Sequence, residues 1–375
     1  MPMLDDLTTP CLLLDREKLE KNLARMQAVA NRLGVALRPH LKTAKSAEVA
    51  KLSLAAGAKG LTVSTLKEAE YFAAHGFRDL FYAVSIVGRH VARLKRLVQD
   101  GVDIQAGIDS AEAARQVVTA AGDTSLRLRI EIDSGEARGG LAPGDPELIE
   151  VAKILTQGGH RLTGVFTHAG HSYDVRGAVA GREIARLEQG AVLAARDRLV
   201  AAGFTCATVS CGSTPSSAHA EPMAGMTELR TGVYQLGDLF QAGLGVHGLE
   251  DIAMSVLATV IRKRPEKNTL LIDAGGLALS KDRATAALGP GLDAGFGWLA
   301  DEAGAVIEPK LFVKHAYQEH GLVTSASPID FARFPLGCRV RVLPNHACIT
   351  AAGHDRYHVV QGRTVVGEWP RINGW

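Results

Sequence analysis

The chain has 375 residues, of which 46% are hydrophobic and 22% are charged, as in a globular protein of one large or two medium domains. The 42 Lys and Arg residues nearly balance the 40 Asp and Glu residues, which argues against a nucleic-acid partner. The five cysteines have no regular spacing, the N-terminus lacks a signal-peptide pattern, and no apolar run is long enough to span a membrane. We therefore expect a cytoplasmic protein without a membrane segment.

Helical patterns alternate with short apolar runs through the first two thirds of the chain. The spacing predicts helices at 16–34, 46–57, 66–75, 89–99, 110–121, 146–157 and 178–203, and a brief helical stretch after 212. The runs between them predict eight strands, at 35–41, 60–65, 80–85, 102–109, 126–133, 162–170, 207–212 and 228–235. Eight β/α units in succession predict a (β/α)8 TIM barrel, with an open doubly wound sheet as the alternative.

The rhythm changes after about residue 245, where β-branched residues cluster around turn signals and helical periodicity is nearly absent. This part of the chain predicts an antiparallel β domain, to which we also assign the run "CLLLD" at 11–15. The expected domains are the barrel at 16–244 and a β domain made of 1–15 plus 245–375.

The heptad "LRPHLKT" places Arg38, His40 and Lys42 at alternate positions of the first barrel strand. Alternate residues of a strand share a face, so the three basic groups repel one another unless an anion lies against them. A solvated edge strand would explain the pattern equally well. The residues at the ends of the other barrel strands are needed to choose between a bound anion and a solvated edge strand.

Barrel enzymes carry their chemistry at the carboxyl ends of the strands. Lys42 ends the first strand, while "CGSTPSS" at 211–217 and "RTGVY" at 230–234 follow or end the last two strands. Glycines and small hydroxyl residues at those two places are typical of phosphate sites. A lysine opposite two such loops suggests pyridoxal 5'-phosphate (PLP), whose aldehyde needs an amine. Lys45 is the competing lysine, expected in the following helix and pointing elsewhere.

Several blocks resemble the D-serine dehydratase and D-threonine aldolase group of alanine-racemase-type (fold III) PLP enzymes. The blocks span essentially the whole chain, and their order is highly specific: "RPHLKTAKS", "GLTVSTLKEAE", "YAVSI", "IEIDSGEARGG", "THAGHSY", "VSCGSTPS", "RTGVYQLGD", "QEHG" and "LPNHACIT". They are most similar to the dehydratases that act on D-serine or D-threo-3-hydroxyaspartate.

The resemblance implies roles for individual residues. It makes Lys42 the lysine that bonds to PLP and Tyr173 the tyrosine near the pyridine nitrogen. His168 is expected to contact the cofactor or the substrate, and Arg138 to belong to the site. The expected phosphate-binding residues are Ser213, Thr214, Gly232 and Val233.

The block "LPNHACIT" contains His346 and Cys348, spaced to share one face of a predicted strand. Imidazole plus thiolate suits zinc, although by spacing alone a buried strand pair explains it as well. The resemblance implies a metal here, Zn²⁺ or another divalent ion such as Mn²⁺. Dehydratases of the group carry His-x-Cys at this point and the aldolases His-x-Asp, so the cysteine favours dehydration. Gln318 and His320 are expected near the metal, with their roles open.

We therefore expect a dehydratase that converts a small-molecule 3-hydroxy D-amino acid to an oxo acid and ammonia. The alternatives are an aldolase that cleaves D-threonine or 3-hydroxyaspartate to glycine, a non-catalytic PLP carrier, and an amino-acid racemase. Carriers lack a C-terminal β domain, and a racemase would have no evident use for a metal pair. By the same resemblance the active unit is expected to be a homodimer.

Overall fold

The structure is a computed structural model that describes residues 2–375. The chain divides into two compact units. The first, called the β unit here, takes the chain up to Ala24, Thr43–Glu48 and Val233–Asn373. The second, the barrel unit, takes Arg25–Lys42, Val49–Gly232 and Gly374–Trp375.

Seventeen strands are present within residues 2–375. They are β1 (Cys11–Asp15), β2 (Ala36–Leu37), β3 (Leu61–Val63), β4 (Asp79–Ser85), β5 (Asp103–Ile108), β6 (Arg127–Glu131), β7 (Arg161–Phe166), β8 (Thr208–Cys211), β9 (Glu228–Leu229), β10 (Met254–Arg264), β11 (Thr269–Ile272), β12 (Trp298–Ala300), β13 (Leu311–Ala316), β14 (Gly321–Ser325), β15 (Arg339–Leu343), β16 (Arg356–Gln361) and β17 (Thr364–Pro370).

The same part of the chain forms eleven α-helices. They are α1 (Arg16–Leu33), α2 (Ala47–Ala55), α3 (Leu66–Ala74), α4 (Val91–Gln99), α5 (Ala111–Ala121), α6 (Glu147–Gln157), α7 (Gly177–Ala201), α8 (Thr214–His219), α9 (Leu239–Gly243), α10 (Gly276–Leu279) and α11 (Ala347–Ala352).

The barrel unit contains one parallel sheet in the order β2-β9-β8-β7-β6-β5-β4-β3. A parallel bridge between His40 and Thr62 joins the two ends of this order, and the Leu41 N–H donates to the Thr62 carbonyl at 2.8 Å. The sheet is therefore a closed barrel, as the eight alternating patterns predicted, and the open-sheet alternative is wrong. The carboxyl ends of its strands meet at one mouth, where side chains from distant parts of the sequence can converge.

A charged cluster fills part of the barrel interior. Glu228 accepts from Arg38 Nε and from Arg129 Nη1, each at 2.6 Å. Arg38 also donates to Asp79 Oδ1 at 2.6 Å, and the Arg129 guanidinium lies 4.2 Å from the centre of the Phe81 ring. Burial alone would raise the pKa of Glu228, but the two arginines lower it to about 2. The charge of Arg38 is thus balanced by the carboxylates of Glu228 and Asp79, so Arg38 needs no bound anion.

The β unit contains a nine-stranded sheet in the order β11-β14-β13-β12-β15-β10-β1-β16-β17, with an additional pairing of β11 to β10. All its pairings are antiparallel except β1 with β16, which run parallel. The extra pairing closes six of the strands on themselves. The C-terminal antiparallel β domain is confirmed, and the early strand at 11–15 lies in its sheet. No helix in the described residues has the length and apolarity to cross a membrane.

Candidate active site

Lys42 is exposed in a turn that follows the first barrel strand. That strand is shorter than expected, since β2 ends at Leu37 and only His40 makes a further bridge. The Lys42 N–H points to His40 Nδ1 at 3.4 Å. The placement of Lys45 in a helix is wrong: it lies in the loop before α2, with a positive φ of 48°. Helix α2 begins only at Ala47, two residues after Lys45.

The segment that follows this lysine is anchored by side chains of the β unit. The Thr43 hydroxyl lies 3.0 Å from Cys348 Sγ. The Ala44 carbonyl accepts from Tyr357 Oη at 2.8 Å and from Arg371 Nε at 3.2 Å, and Arg371 also donates to the Thr43 carbonyl at 3.1 Å. The backbone that follows Lys42 is therefore held by several hydrogen bonds.

His168 follows β7 and is half-buried in the barrel unit. Burial lowers the pKa of its imidazole well below the usual value, and the positive charges of Lys42, Arg138 and Arg230 lower it further. His168 is consequently neutral at physiological pH, with one ring nitrogen that donates and one that accepts. The ring of Tyr173 lies nearby, with its centre 6.3 Å from that of His168.

Arg138 lies in the loop after β6, and its side chain is 58% exposed. It pairs with Glu136 at 3.2 Å, a weak contact at an exposed position. Asp133 fixes the turn that carries it by accepting from the N–H groups of Gly135 and Ala137. The charge of Arg138 is available to an anion at the barrel mouth.

The loop after β8 contains two of the expected phosphate-binding residues. Ser213 caps α8 by accepting from the Ser216 N–H at 3.1 Å, and its hydroxyl contacts that of Ser172 at 2.7 Å. The hydroxyl of Thr214 is buried and has no hydrogen-bond partner among residues 2–375. A buried hydroxyl without a partner is costly, so this atom is suited to a ligand.

The loop after β9 shows the same feature. The strand ends at Leu229, earlier than expected, and within the described chain the buried Thr231 hydroxyl has no partner either. A Cβ added at Gly232 would lie 2.8 Å from the His40 carbonyl oxygen, so no side chain fits there. Val233 begins a 3-10 helix at Val233–Gln235. The two loops therefore offer backbone and hydroxyl donors, as a phosphate requires.

These features of the barrel unit fit PLP. Lys42 supplies an exposed amine for its aldehyde, and His168 supplies a neutral imidazole. The two buried hydroxyls of Thr214 and Thr231 supply donors that the protein itself leaves unused within its described residues. The arrangement could hold a phosphorylated aldehyde, whose phosphate would give the buried hydroxyls the partners that they lack.

The expected metal pair lies in the β unit, but its placement on a strand is wrong. The preceding strand, β15, ends at Leu343; His346 is the residue before α11, and Cys348 lies in the first turn of that helix. Asp238 promotes the helix, because its carboxylate accepts from the Ala347 N–H at 2.9 Å. Tertiary contact here overrides the β-branched pattern of the sequence.

An excess of negative charge surrounds His346. Its Nδ1 lies 2.9 Å from Asp282 Oδ2, and both Cys348 and Asp238 contribute to its environment. Burial by itself would lower the pKa of His346, but these neighbours raise it to about 11. A site that stabilises a positive charge so strongly is suited to a cation.

The donor chemistry also fits a metal. The carboxylate of Asp282 fixes one nitrogen of His346 and leaves Nε2 for a metal, an arrangement common behind histidine ligands. Residues 2–375 contain no group of three or more His, Cys, Asp or Glu side chains placed to hold an ion. The protein would thus offer two ligands. Gln318 and His320 are exposed in the β13–β14 turn, where the Gln318 carbonyl accepts from the Leu277 N–H.

Sequence reasoning missed several residues of this region. Asp282 contacts His346, Asp238 holds the start of the helix that carries Cys348, and Thr231 adds a buried hydroxyl to the loops expected to bind phosphate. Asp238 ends the block "RTGVYQLGD", which could have drawn attention to it. Asp282 stands in no motif, and only its contact with His346 reveals it.

Two family models match the chain. "Alanine racemase, N-terminal domain" matches residues 14–239, and "Putative serine dehydratase domain" matches residues 253–360. The chain belongs to the alanine-racemase-type family that contains the D-serine dehydratases. This confirms the family expected from the nine sequence blocks.

Individual relatives agree with this assignment. The D-threo-3-hydroxyaspartate dehydratase of Delftia sp. (strain HT23) is 42% identical over 377 residues, with 98% of each chain covered. The D-serine dehydratase of Dictyostelium discoideum is 30% identical, with 95% of this chain and 94% of the relative covered. Among solved structures, a cysteine-to-alanine mutant of D-threo-3-hydroxyaspartate dehydratase in the metal-free form has a TM-score of 0.97, at 40% identity and full coverage of both chains.

Proposed function

We propose that the protein is a PLP-dependent dehydratase. It would convert a 3-hydroxy D-amino acid, D-threo-3-hydroxyaspartate or D-serine, to the oxo acid and ammonia by loss of water and hydrolysis. The observation that carries the proposal is the 42% identity, along 98% of both chains, to a dehydratase of that class. The exposed Lys42 and the unpartnered hydroxyls within the described barrel unit support PLP as the cofactor.

Each side chain of the barrel mouth has a definable part in this reaction. PLP, when bound, withdraws electrons from the substrate Cα and makes its proton more acidic. Lys42 would hold the cofactor through Nζ, and the same amine would take the Cα proton. The hydroxyls of Thr214 and Thr231 would donate to the phosphate. Neutral His168 can hydrogen-bond at both ring nitrogens without adding charge beside the reacting carbon.

We propose that His346 and Cys348 hold a divalent metal, Zn²⁺ or an ion such as Mn²⁺. The metal would supply Lewis acidity toward the β-hydroxyl, which is a poor leaving group. Asp282 would keep the imidazole oriented, and Asp238 would hold the start of α11, which carries the cysteine. Metal analysis of the purified protein, compared with a Cys348→Ala variant, tests this. An equal metal content in both proteins would contradict it.

The aldolase alternative uses the same parts but breaks Cα–Cβ and releases glycine. Cys348, at the place where the aldolases of the family carry aspartate, favours the dehydratase. The nine-stranded sheet argues against a PLP carrier, because carriers lack a C-terminal β domain. His346 and Cys348 argue against a racemase, which has no evident use for a metal.

The test is incubation of the holoenzyme with a panel of 3-hydroxy D-amino acids, with separate assays for ammonia and glycine. We expect ammonia and oxo acid to form in equal amounts, with D-threo-3-hydroxyaspartate or D-serine as the best substrate. Glycine as the main nitrogen product would contradict the proposal and favour the aldolase. If neither ammonia nor glycine formed from any substrate, the result would favour the carrier.

We also propose that the active unit is a homodimer. The β unit exposes large apolar side chains that a second copy could cover, namely Leu277 at 61%, Tyr317 at 56% and Ile349 at 48% exposure. Light scattering at the concentrations of the activity assay tests this. A monomer with full activity would contradict it.

A further inference from the structure

A buried carboxylate on α7 connects two loops of the barrel mouth. Glu188 is 1% exposed. Its Oε1 accepts from the Ala169 N–H at 3.1 Å and from the Gly212 N–H at 3.0 Å. Ala169 directly follows His168, and Gly212 directly precedes Ser213. One side chain therefore holds both the loop after β7 and the loop after β8.

A chain of buried hydroxyls extends this connection. Glu188 Oε2 accepts from Ser216 Oγ at 2.7 Å, and Ser216 Oγ lies 2.9 Å from Ser213 Oγ. Ser213 Oγ lies 2.7 Å from Ser172 Oγ, in the residue before Tyr173. The network thus links the two loops that carry expected cofactor contacts, at both His168 and Tyr173 in the first and at Ser213 in the second.

Packing alone does not explain a carboxylate at position 188. Burial raises the pKa of its carboxyl, and the three donors and the charge of Arg230 oppose that shift. A leucine or methionine would fill the same space without the cost of desolvating a carboxylate. One oxygen of a carboxylate can instead fix the spacing of two loops, because both loops donate to it from their backbone, while the other oxygen accepts from Ser216.

We propose that Glu188 is a positioning residue for the cofactor phosphate. It fixes the loop of Ser213 and Thr214 against the loop of His168, so that the Thr214 hydroxyl, which has no partner within residues 2–375, faces the phosphate. The inference rests on the proposed PLP function. It adds that the binding energy of the phosphate depends on Glu188 more strongly than that of the pyridine ring.

The test compares the affinity of the apoprotein for PLP and for pyridoxal, which lacks the phosphate, by absorbance titration. Glu188→Leu should weaken PLP binding by about tenfold or more and pyridoxal binding by less than about threefold, as expected for the loss of one or two well-oriented phosphate contacts. Glu188→Gln should restore most of the preference for PLP, because its amide oxygen still accepts both N–H bonds.

Two controls separate positioning from stability. Val192→Ala removes packing from the same helix at a fully buried site one turn beyond Glu188, without removing any hydrogen bond to the two loops; it should lower Tm and leave the PLP-to-pyridoxal ratio unchanged. Ser216→Ala removes one bond to Glu188 and the bonds of the same hydroxyl to Ser213 but keeps the carboxylate and its two backbone N–H bonds; if Glu188→Leu fails to fold, this milder variant should still lower the ratio.

The outcomes that contradict the inference are distinct. An unchanged ratio in Glu188→Leu or in Ser216→Ala would overturn it, as would an equal fall in Val192→Ala. A wild-type protein that binds neither aldehyde would instead contradict the proposed PLP function itself.

Discussion

Glu188 in the barrel unit and Arg371 in the β unit are buried charged side chains that bind backbone groups, but with opposite sign. Glu188 accepts hydrogen bonds from N–H groups of the two loops that follow β7 and β8. Arg371 donates to carbonyls, those of Thr43 and Ala44 after Lys42 and those of Ala351 and His354 at the end of α11.

The difference follows from the backbone groups that each place exposes. A helix end leaves carbonyls without partners, and the five N–H donors of a guanidinium suit them. The bonds of Glu188 to the loops span 19 and 24 residues, whereas that of Arg371 to Ala44 spans 327. We therefore expect Glu188 to govern local cofactor geometry and Arg371 to govern the stability of the fold around Lys42.

The largest expected effect comes from the lysine beside the Arg371 anchor. Lys42→Ala should remove the visible absorbance of the bound cofactor and lower kcat by at least about a thousandfold, because it removes both the covalent link and the base. The control is Lys45→Ala, which should keep both. A Lys42→Ala enzyme with substantial activity would contradict the assignment.

The helix held by Arg371 provides the next prediction. Chelation, or Cys348→Ala, should lower the rate with D-serine by about a hundredfold or more, since hydroxide leaves poorly without a Lewis acid. β-Chloro-D-alanine should still react, because chloride departs unaided, and the cofactor absorbance should remain. Equal losses on both substrates would show that any metal is structural.

Arg371→Met should lower the free energy of unfolding by about 3 kcal/mol, because it leaves several buried carbonyls without a donor. Arg371→Lys, which keeps the charge but has fewer donors, should lose less. Denaturant titration of the two variants beside the wild type measures both. A loss below about 0.5 kcal/mol for the methionine variant would mean that water replaces the guanidinium and that the proposed anchor is unimportant.

The barrel interior offers a pH-dependent prediction that does not involve the site. The pKa of Glu228 is lowered to about 2, so the stability it provides is complete above about pH 4.5 and is lost as the pH falls toward 2. The pH-dependent part amounts to about 3 kcal/mol. Glu228→Gln should therefore be less stable than the wild type at pH 7, and the difference should shrink between pH 5 and pH 3. A constant difference would contradict the role of the arginine pair.

Much of the fold was predictable because the signals were local. Buried parallel strands appear as short apolar runs, and Thr65 and Ser110 cap α3 and α5 where the sequence placed the helix starts. Lys42 was expected to end the first strand, but it lies in a turn five residues after β2 ends, and its role stays a prediction. The helical placement of Cys348 was not predictable, since it depends on the bond from the Ala347 N–H to Asp238, which spans 109 residues.

The supporting charges were the least predictable part. Glu188 and Arg371 stand in no motif, and a glutamate in a long helix or an arginine near the C-terminus normally indicates a solvated surface. Only burial and the backbone groups around them identify their roles. In the β unit the hydrogen bonds of Arg371 and Asp238 join residues that are far apart in the sequence, so no local pattern contains both members of a pair.

The central claim is that Lys42 bears the cofactor at the barrel mouth. The most direct measurement is borohydride reduction of the protein as purified, followed by proteolysis and mass spectrometry of the modified peptide. We expect a pyridoxyl phosphate group on Lys42, in the peptide that contains "LRPHLKT". A modification on Lys45, or no modification of a protein that is catalytically active, would contradict the claim.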